Sequence, residues 1–388
     1  MHKELVEDRD WMTEEEFLKA LSFCMLLPGP EAMQLATYAG WKRRGVIGGL
    51  IGGGLFVIPG AVVIAGLALL YLAYGNLPFV QAMFTGIQAV VVVFVLAALT
   101  NIGKRALGRR LHVVVAVLAF LALFFFAVPF PVVILTAAIV GAATYAPRPS
   151  ALPPRAPVQW QRSLRILAGG IGLWALPLLA AYATGADFLI EVGLFFSTLA
   201  VVTFGGAYAV LSYMTQEVVF TFGWLTTPQM IDALGLAETT PGPLILVTQF
   251  VAMVAGHGEG GVAMAILAGA MTLWVTFVPC FIWIFAGAPL IDWLDGKPRL
   301  RAALQAITAA VVGVIASLSL WFAMHVFFAE VAPVSIGPVQ TIVPIATSVA
   351  PWSVLLAALS AVLIIGRKWP LPAVLCISAA LGGFLSVL

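Results

Sequence analysis

The residues with the chemistry to bind an anion lie in two copies of one motif. Leu26-Leu27-Pro28-Gly29-Pro30 and Thr239-Thr240-Pro241-Gly242-Pro243 each interrupt an apolar run that otherwise reads as helix. Proline removes a backbone donor and glycine adds freedom, so the helix must break there. Water could solvate such a break, but hydrocarbon cannot. In a bilayer a broken helix persists only where protein buries it or it lines an aqueous cavity. The helices that restart at Pro30 and Pro243 offer unpaired N–H groups and a partial positive charge, an anion site that needs no basic side chain. Proline suits that first turn because its missing donor is not required. Hydroxyls of Thr239 and Thr240 and amides of Gln34 and Gln249 could complete the coordination of oxyanion oxygens. For one copy, the competing reading is a tight turn between two packed helices; two copies in an inverted context weigh against it.

Three further groups bear on that site. Glu31 and Glu238 flank the two breaks. Intramembrane carboxylates are costly and usually functional, and one beside an anion site repels its ligand unless protonated, which could couple proton to anion. A capping or interfacial carboxylate is the alternative. Gly205-Gly206, after Phe204, reads either as close backbone approach to the substrate or as close helix packing. Lys42, Arg43 and Arg44 are explained mostly by membrane topology, with attraction of an anion to the cytoplasmic mouth as a second role. His325 reads as interfacial, and His257 and Glu259 as loop residues.

The elements that must hold these residues are membrane spans. Of the 388 residues, 62% are hydrophobic and only 9% charged, against about 25% charged in an average soluble domain. Mean hydropathy is +1.08. Apolar spans cover about 46–74, 79–101, 111–127, 130–145, 166–183, 187–213, 262–287, 303–328, 351–366 and 370–388, with broken segments at 17–40 and 227–256. Many of these runs are close to the length that crosses the hydrocarbon core as a helix. The three cysteines are far apart and form no disulfide or metal pattern. No nucleotide-binding or redox motif is present, so neither ATP drive nor catalysis is indicated, and no cofactor or nucleic-acid partner is expected.

The two motifs belong to an internal repeat. Trp11 and Trp224, Leu21 and Leu234, and Pro28-Gly29-Pro30 and Pro241-Gly242-Pro243 all share one spacing. Gly45-Val46 with Gly261-Val262, and Pro59 with Pro279, recur at slightly longer spacings, as small insertions would give. The expected architecture is therefore an all-α polytopic membrane protein of two inverted-topology repeats, each with a transmembrane helix broken at Pro-Gly-Pro. Residues 1–146 form the N-terminal repeat, 147–165 a cytoplasmic Pro/Arg-rich linker, and 166–388 the C-terminal repeat. The span carrying Gly205-Gly206 has no counterpart ahead of Glu4, so the first repeat reads as lacking its leading helix. Placing the Lys/Arg clusters at 41–44, 102–110, 146–165, 292–301 and 367–368 in the cytoplasm lets each broken segment cross once, in opposite directions; re-entrant hairpins rank second.

Trp11, the run Leu26-Leu27-Pro28-Gly29-Pro30-Glu31-Ala32-Met33-Gln34-Leu35-Ala36, Gly40-Trp41-Lys42-Arg43-Arg44-Gly45, Phe204-Gly205-Gly206 and Thr240-Pro241-Gly242-Pro243 resemble the chromate ion transporter (CHR) family in its long two-domain form, over nearly the whole chain. The resemblance implies an exporter in the bacterial inner membrane that lowers cytoplasmic chromate and confers chromate resistance. It also implies drive by the proton-motive force and sulfate as a competing substrate; a homodimer is left open. Residue chemistry alone gives a secondary transporter for an oxyanion. Transport of sulfate or a related oxyanion is the first alternative, and a membrane scaffold or receptor without transport is the alternative of another class.

Overall fold

The computed structural model describes residues 1–145, 160–202, 204, 207–240, 242–291 and 297–385. Gly205, Gly206, Pro241, most of the 147–165 linker and the side chain of Thr239 lie outside the described residues. Thirteen α-helices are described: α1 Glu14–Leu26, α2 Glu31–Tyr74, α3 Pro78–Ala106, α4 Arg110–Phe126, α5 Phe130–Ala143, α6 Trp160–Thr184, α7 Asp187–Val202, α8 Ala207–Gln216, α9 Thr227–Thr239, α10 Val247–Gly287, α11 Pro298–Phe327, α12 Pro351–Ala361 and α13 Leu371–Leu385. Among the described residues, five stretches, Glu31–Tyr74, Pro78–Ala106, Trp160–Thr184, Leu244–Gly287 and Pro298–Phe327, are long and apolar enough to cross a membrane. The chain is an all-α polytopic membrane protein.

Among the described residues, one β-hairpin interrupts the helices. Strands β1 (Val331–Ile336) and β2 (Val339–Pro344) pair antiparallel, with Ile336 opposite Val339. Gly337, at φ +59°, occupies the first central position of the two-residue turn, where the primed hairpin turns need a positive φ.

The long helices α2 and α10 are each two legs. Arg44 (φ −139°, ψ 24°) and Gly45 (φ 62°, ψ −152°) divide α2, and Gly260 (φ −156°, ψ 27°) with Gly261 (φ 67°, ψ −158°) divides α10. The two turns share one backbone conformation at repeat-related positions.

Within the first broken segment the chain folds back. Lys42 Nζ, near the end of the first leg of α2, lies 2.6 Å from Glu16 Oε2 at the start of α1. The Arg43 guanidinium sits 5.4 Å from the centroid of the Trp11 ring. A segment that ran on through the bilayer would hold residues 16 and 42 at opposite ends. The expectation that this segment crosses once is therefore corrected: α1 and the 31–43 leg are antiparallel arms meeting at Pro28-Gly29-Pro30. The α1 arm has 13 residues, about 20 Å at helical rise, and the 31–43 leg is equally long, against a hydrocarbon core of about 30 Å. Phe17, Phe23, Leu35 and Ala39 pack the arms together with Phe285 of α10.

The chain forms two compact units interleaved along the sequence: Met1–Ala65, Val140–Val210 and Pro241–Leu304 in one, Gly66–Ile139, Leu211–Thr240 and Gln305–Leu388 in the other. In the first unit, α6 and α10 exchange indole hydrogen bonds. Pro279 leaves the Val275 carbonyl without its helical donor, and Trp174 Nε1 donates to it at 3.0 Å. Pro177 does the same to Leu173, whose carbonyl accepts from Trp274 Nε1 at 3.1 Å. In the second unit, Ala89 and Val93 of α3 pack on Leu356 and Ala357 of α12, and α13 packs along α3.

Candidate functional site

The two breaks are built on one local plan. Thr13 and Thr226 each cap the following helix through a reciprocal capping box, with Glu16 and Gln229 as the third-position partners. Trp11 N–H donates to the Leu5 carbonyl at 2.8 Å, and Trp224 N–H to the Val218 carbonyl at 2.9 Å. The helices end in extended residues, Leu27 (ψ 147°) and Thr240 (ψ 142°). The glycines that follow have φ +118° at Gly29 and +123° at Gly242, a region that a side chain rarely enters. Every one of these pairs keeps the spacing that separates Trp11 from Trp224.

Their surroundings differ. Gly29 is buried, and a Cβ there would lie 2.7 Å from Cys280 Sγ and 2.9 Å from Gln34 Nε2. Gln34 is fully buried, and its Nε2 donates to the Pro28 carbonyl at 2.7 Å. Its donor thus braces the break, while its Oε1 is buried without a partner among the described residues. Beyond Pro30, α2 begins at Glu31, so the N–H groups of residues 31–33 lie ahead of the first intrahelical bond at this break, from Gln34 N–H to the Pro30 carbonyl.

At the second break Gly242 is exposed, and a Cβ would meet only Leu246 Cδ1 at 3.1 Å and Gly60 Cα at 3.4 Å. Pro243 precedes a 3₁₀ turn, Leu244–Leu246, before α10 starts. The Thr240 hydroxyl donates to the Ala237 carbonyl at 3.2 Å and finishes α9. Gln249 is buried in α10, where its Nε2 donates to the Ala61 carbonyl of α2 at 3.2 Å and its Oε1 is unpaired among the described residues. The expected amides and the Thr240 hydroxyl therefore meet backbone groups at or near the breaks, and the oxyanion donors left at each break are backbone N–H groups.

Glu31 is half-buried at the start of α2, and Glu238 half-buried in the last turn of α9. Of the three expected cations, Lys42 and Arg43 bind Glu16 and Trp11 across the folded arms, and Arg44 occupies the turn of α2. The Glu16 carboxyl is held below its ordinary range, first by the hydrogen bond from Lys42 and then by the Thr13 backbone N–H.

Two polar features are not among the residues expected from sequence. In the second unit, Asp232 of α9 is 8% exposed; its Oδ2 accepts from Tyr71 Oη at 2.8 Å and its Oδ1 from Gln88 Nε2 at 2.7 Å. A cavity of about 390 Å³ in the same unit is lined by Ser212, Thr215, Gln216, Trp321, Ser335 and Thr341, among others, and contains no residue of either break. Trp321 Nε1 and Thr341 Oγ1 are buried there without partners among the described residues. Among the described residues, no group of three or more His, Cys, Asp or Glu could hold a metal.

The profile of the family described as "Chromate transporter" matches residues 1–142 and 190–384. A probable chromate transport protein of Synechococcus elongatus is 28% identical over 319 residues, 81% of this chain and 76% of its own. The chromate transport protein of Cupriavidus metallidurans is 28% identical over 317 residues, 81% and 74% of the two chains. That of Pseudomonas aeruginosa is 30% identical over 337 residues, 82% and 74%. No solved structure matches. With both breaks and most of the helical chain inside the matched regions, this multi-pass membrane protein belongs to the chromate transporter family.

Proposed function

We propose that the protein is a secondary transporter that exports chromate, a tetrahedral oxyanion, across the bacterial plasma membrane, coupled to the proton-motive force, and thereby confers chromate resistance. The observation that carries this reading is the pair of breaks at Gly29 and Gly242, alike in backbone and each followed by a helix start. Helix starts present backbone N–H groups to an anion without a cation that would hold it too tightly to release. Relatives named as chromate transport proteins favour chromate over other oxyanions. Sulfate has the same shape and charge, and N–H groups alone discriminate poorly between the two.

We read the halves as inverted repeats, on the matched local geometry of the two breaks and on the Lys/Arg placement. Glu16, at the start of the first broken segment, lies against Lys42, next to the turn that opens the 46–74 leg of α2. Asp232, in the second turn of α9, lies against Tyr71 near the other end of that leg. Further along α9, Gly235 approaches Ile87 and Val91 of α3, so α9 runs away from the 74–78 connection. Lys/Arg placement puts residues 41–44 on the cytoplasmic face.

The test is flux of radiolabelled chromate into proteoliposomes, with and without an imposed pH gradient and excess sulfate. Gradient-dependent uptake that sulfate inhibits is expected. Absence of uptake by folded, monodisperse protein would overturn the reading and favour a scaffold or receptor.

A further inference from the structure

We propose that Asp232 is the proton-binding carboxyl of the transport cycle, held between the Tyr71 hydroxyl and the Gln88 amide. This rests on the reading of the protein as a proton-coupled carrier and names the group that would carry the proton.

The carboxyl is buried on α9, which packs against α3, a helix long and apolar enough to cross a membrane, and both hydrogen-bond donors that reach it are neutral. A buried carboxylate held for structure alone is usually paired with a cation; an intramembrane acid paired with neutral groups is a functional-site candidate by default. The elements packed against it carry little other charge. The part of α2 in this unit contributes Tyr71 and Tyr74. α3 has no titratable residue between Pro78 and Gly103, α13 contributes Cys376, and α9 itself carries Glu238 more than a turn further on. Uptake of one proton on an Oδ atom therefore changes the local charge by a full unit, and its release restores it. Bond exchange accompanies the change: a neutral carboxyl offers an O–H donor, so the Tyr71 hydroxyl or the Gln88 amide must turn.

The geometry holds the group in place. Gly235, one turn beyond Asp232, lets α9 approach α3 until a Cβ would stand 2.9 Å from Ile87 Cγ2. The Tyr71 ring is fixed edge-on against Phe84, with centroids 5.4 Å apart. Asp232 also lies on the helix that ends at the second break, two turns before Thr239. A change of charge here acts on the element that leads into the proposed anion site. The equivalent position of the first repeat, at the Trp11–Trp224 spacing, is Lys19, whose Nζ pairs with Glu15 at 2.8 Å. The proton site is thus a property of the second repeat alone.

The experiment compares two assays on full-length protein in proteoliposomes: chromate uptake driven by a pH gradient, and exchange of labelled for unlabelled chromate with no gradient. Wild type responding to the gradient is the precondition; a wild type that only exchanges would remove proton coupling itself, whatever Asp232 does. Asp232→Asn keeps the size and removes titration; like the neutral carboxyl it offers one acceptor and one donor, so Tyr71 or Gln88 turns to accept from it. It is expected to lose the gradient response while exchange stays within about twofold of wild type. Asp232→Glu is expected to retain the response with a shifted pH profile. Tyr71→Phe removes one donor and is expected to shift that profile without abolishing uptake. A gradient response intact in Asp232→Asn would overturn the proposal. So would equal loss of uptake and exchange in Asp232→Asn with an unshifted profile in Tyr71→Phe, which would make the cluster structural.

Discussion

At Gly29 the chain turns with φ +118° in a space closed by Cys280 and Gln34; at Gly242 it turns with φ +123° beside Leu246 and is exposed. The first break leads straight into α2, the second through a 3₁₀ turn into α10. The arms of the first are tied at their far ends by Glu16 and Lys42. The helix before the second carries a buried acid where the first carries Lys19. One backbone device thus serves two tasks. On the proposals above, the closed copy is the fixed anchor, and the open copy, whose helix holds Asp232, is the one that moves and answers a proton.

If that division is correct, alanine at the two glycines has unequal effects. Gly29→Ala meets both the disfavoured φ and a filled space, about 1–2 kcal/mol of strain plus about 1–3 kcal/mol of overpacking. It should lower both folded yield and thermal stability in detergent. Gly242→Ala meets strain with little crowding, so its stability should fall less while chromate flux still drops sharply. Equal stability losses would erase the distinction.

Gln34→Leu comes next. It leaves the Pro28 carbonyl buried and unpaired, at a cost of about 1–3 kcal/mol. Gln249→Leu removes a longer hydrogen bond, 3.2 Å against 2.7 Å, and should destabilise less. Thermal unfolding of both variants beside wild type measures the difference.

The smallest effect concerns the tie between the arms. Glu16 has a folded-state pKa below its ordinary value of 4.5. The stability it adds is present above about 4.5 and is lost as pH falls through the lower folded-state value. Its side chain is 46% exposed, so the contribution is under about 1 kcal/mol. Glu16→Gln should lower the melting temperature slightly at neutral pH and flatten its decline on acidification; an unchanged acid profile would place the tie elsewhere.

The sequence made the helical spans, both breaks and the internal repeat legible, because proline, glycine and hydropathy act locally. The fold-back of the first segment was less visible, since hydropathy does not distinguish a single crossing from two short arms. A signal did exist: the helical stretch on each side of Pro28-Gly29-Pro30 is too short to cross. Amides suit oxyanions, so the sequence points Gln34 and Gln249 at the anion, whereas the backbone partners they meet are set by helix packing. Asp232 is not legible in the sequence, because it lies two turns away from the break. Its partners lie 161 and 144 residues away, and nothing local announces them. The β-hairpin had its cue in Ile336-Gly337-Pro338-Val339, masked by the apolar spans around it.

The central claim is that the open break lines the path of the anion. The most direct measurement is labelling of Thr240→Cys, in a Cys376→Ala background, by a membrane-impermeant thiol reagent in the presence and absence of sulfate. The account predicts that Thr240→Cys is labelled and that sulfate protects it, while the buried Cys24 and Cys280 stay unlabelled. A Thr240→Cys that is inaccessible from both sides, or labelled equally with and without sulfate in protein that still transports, would contradict it.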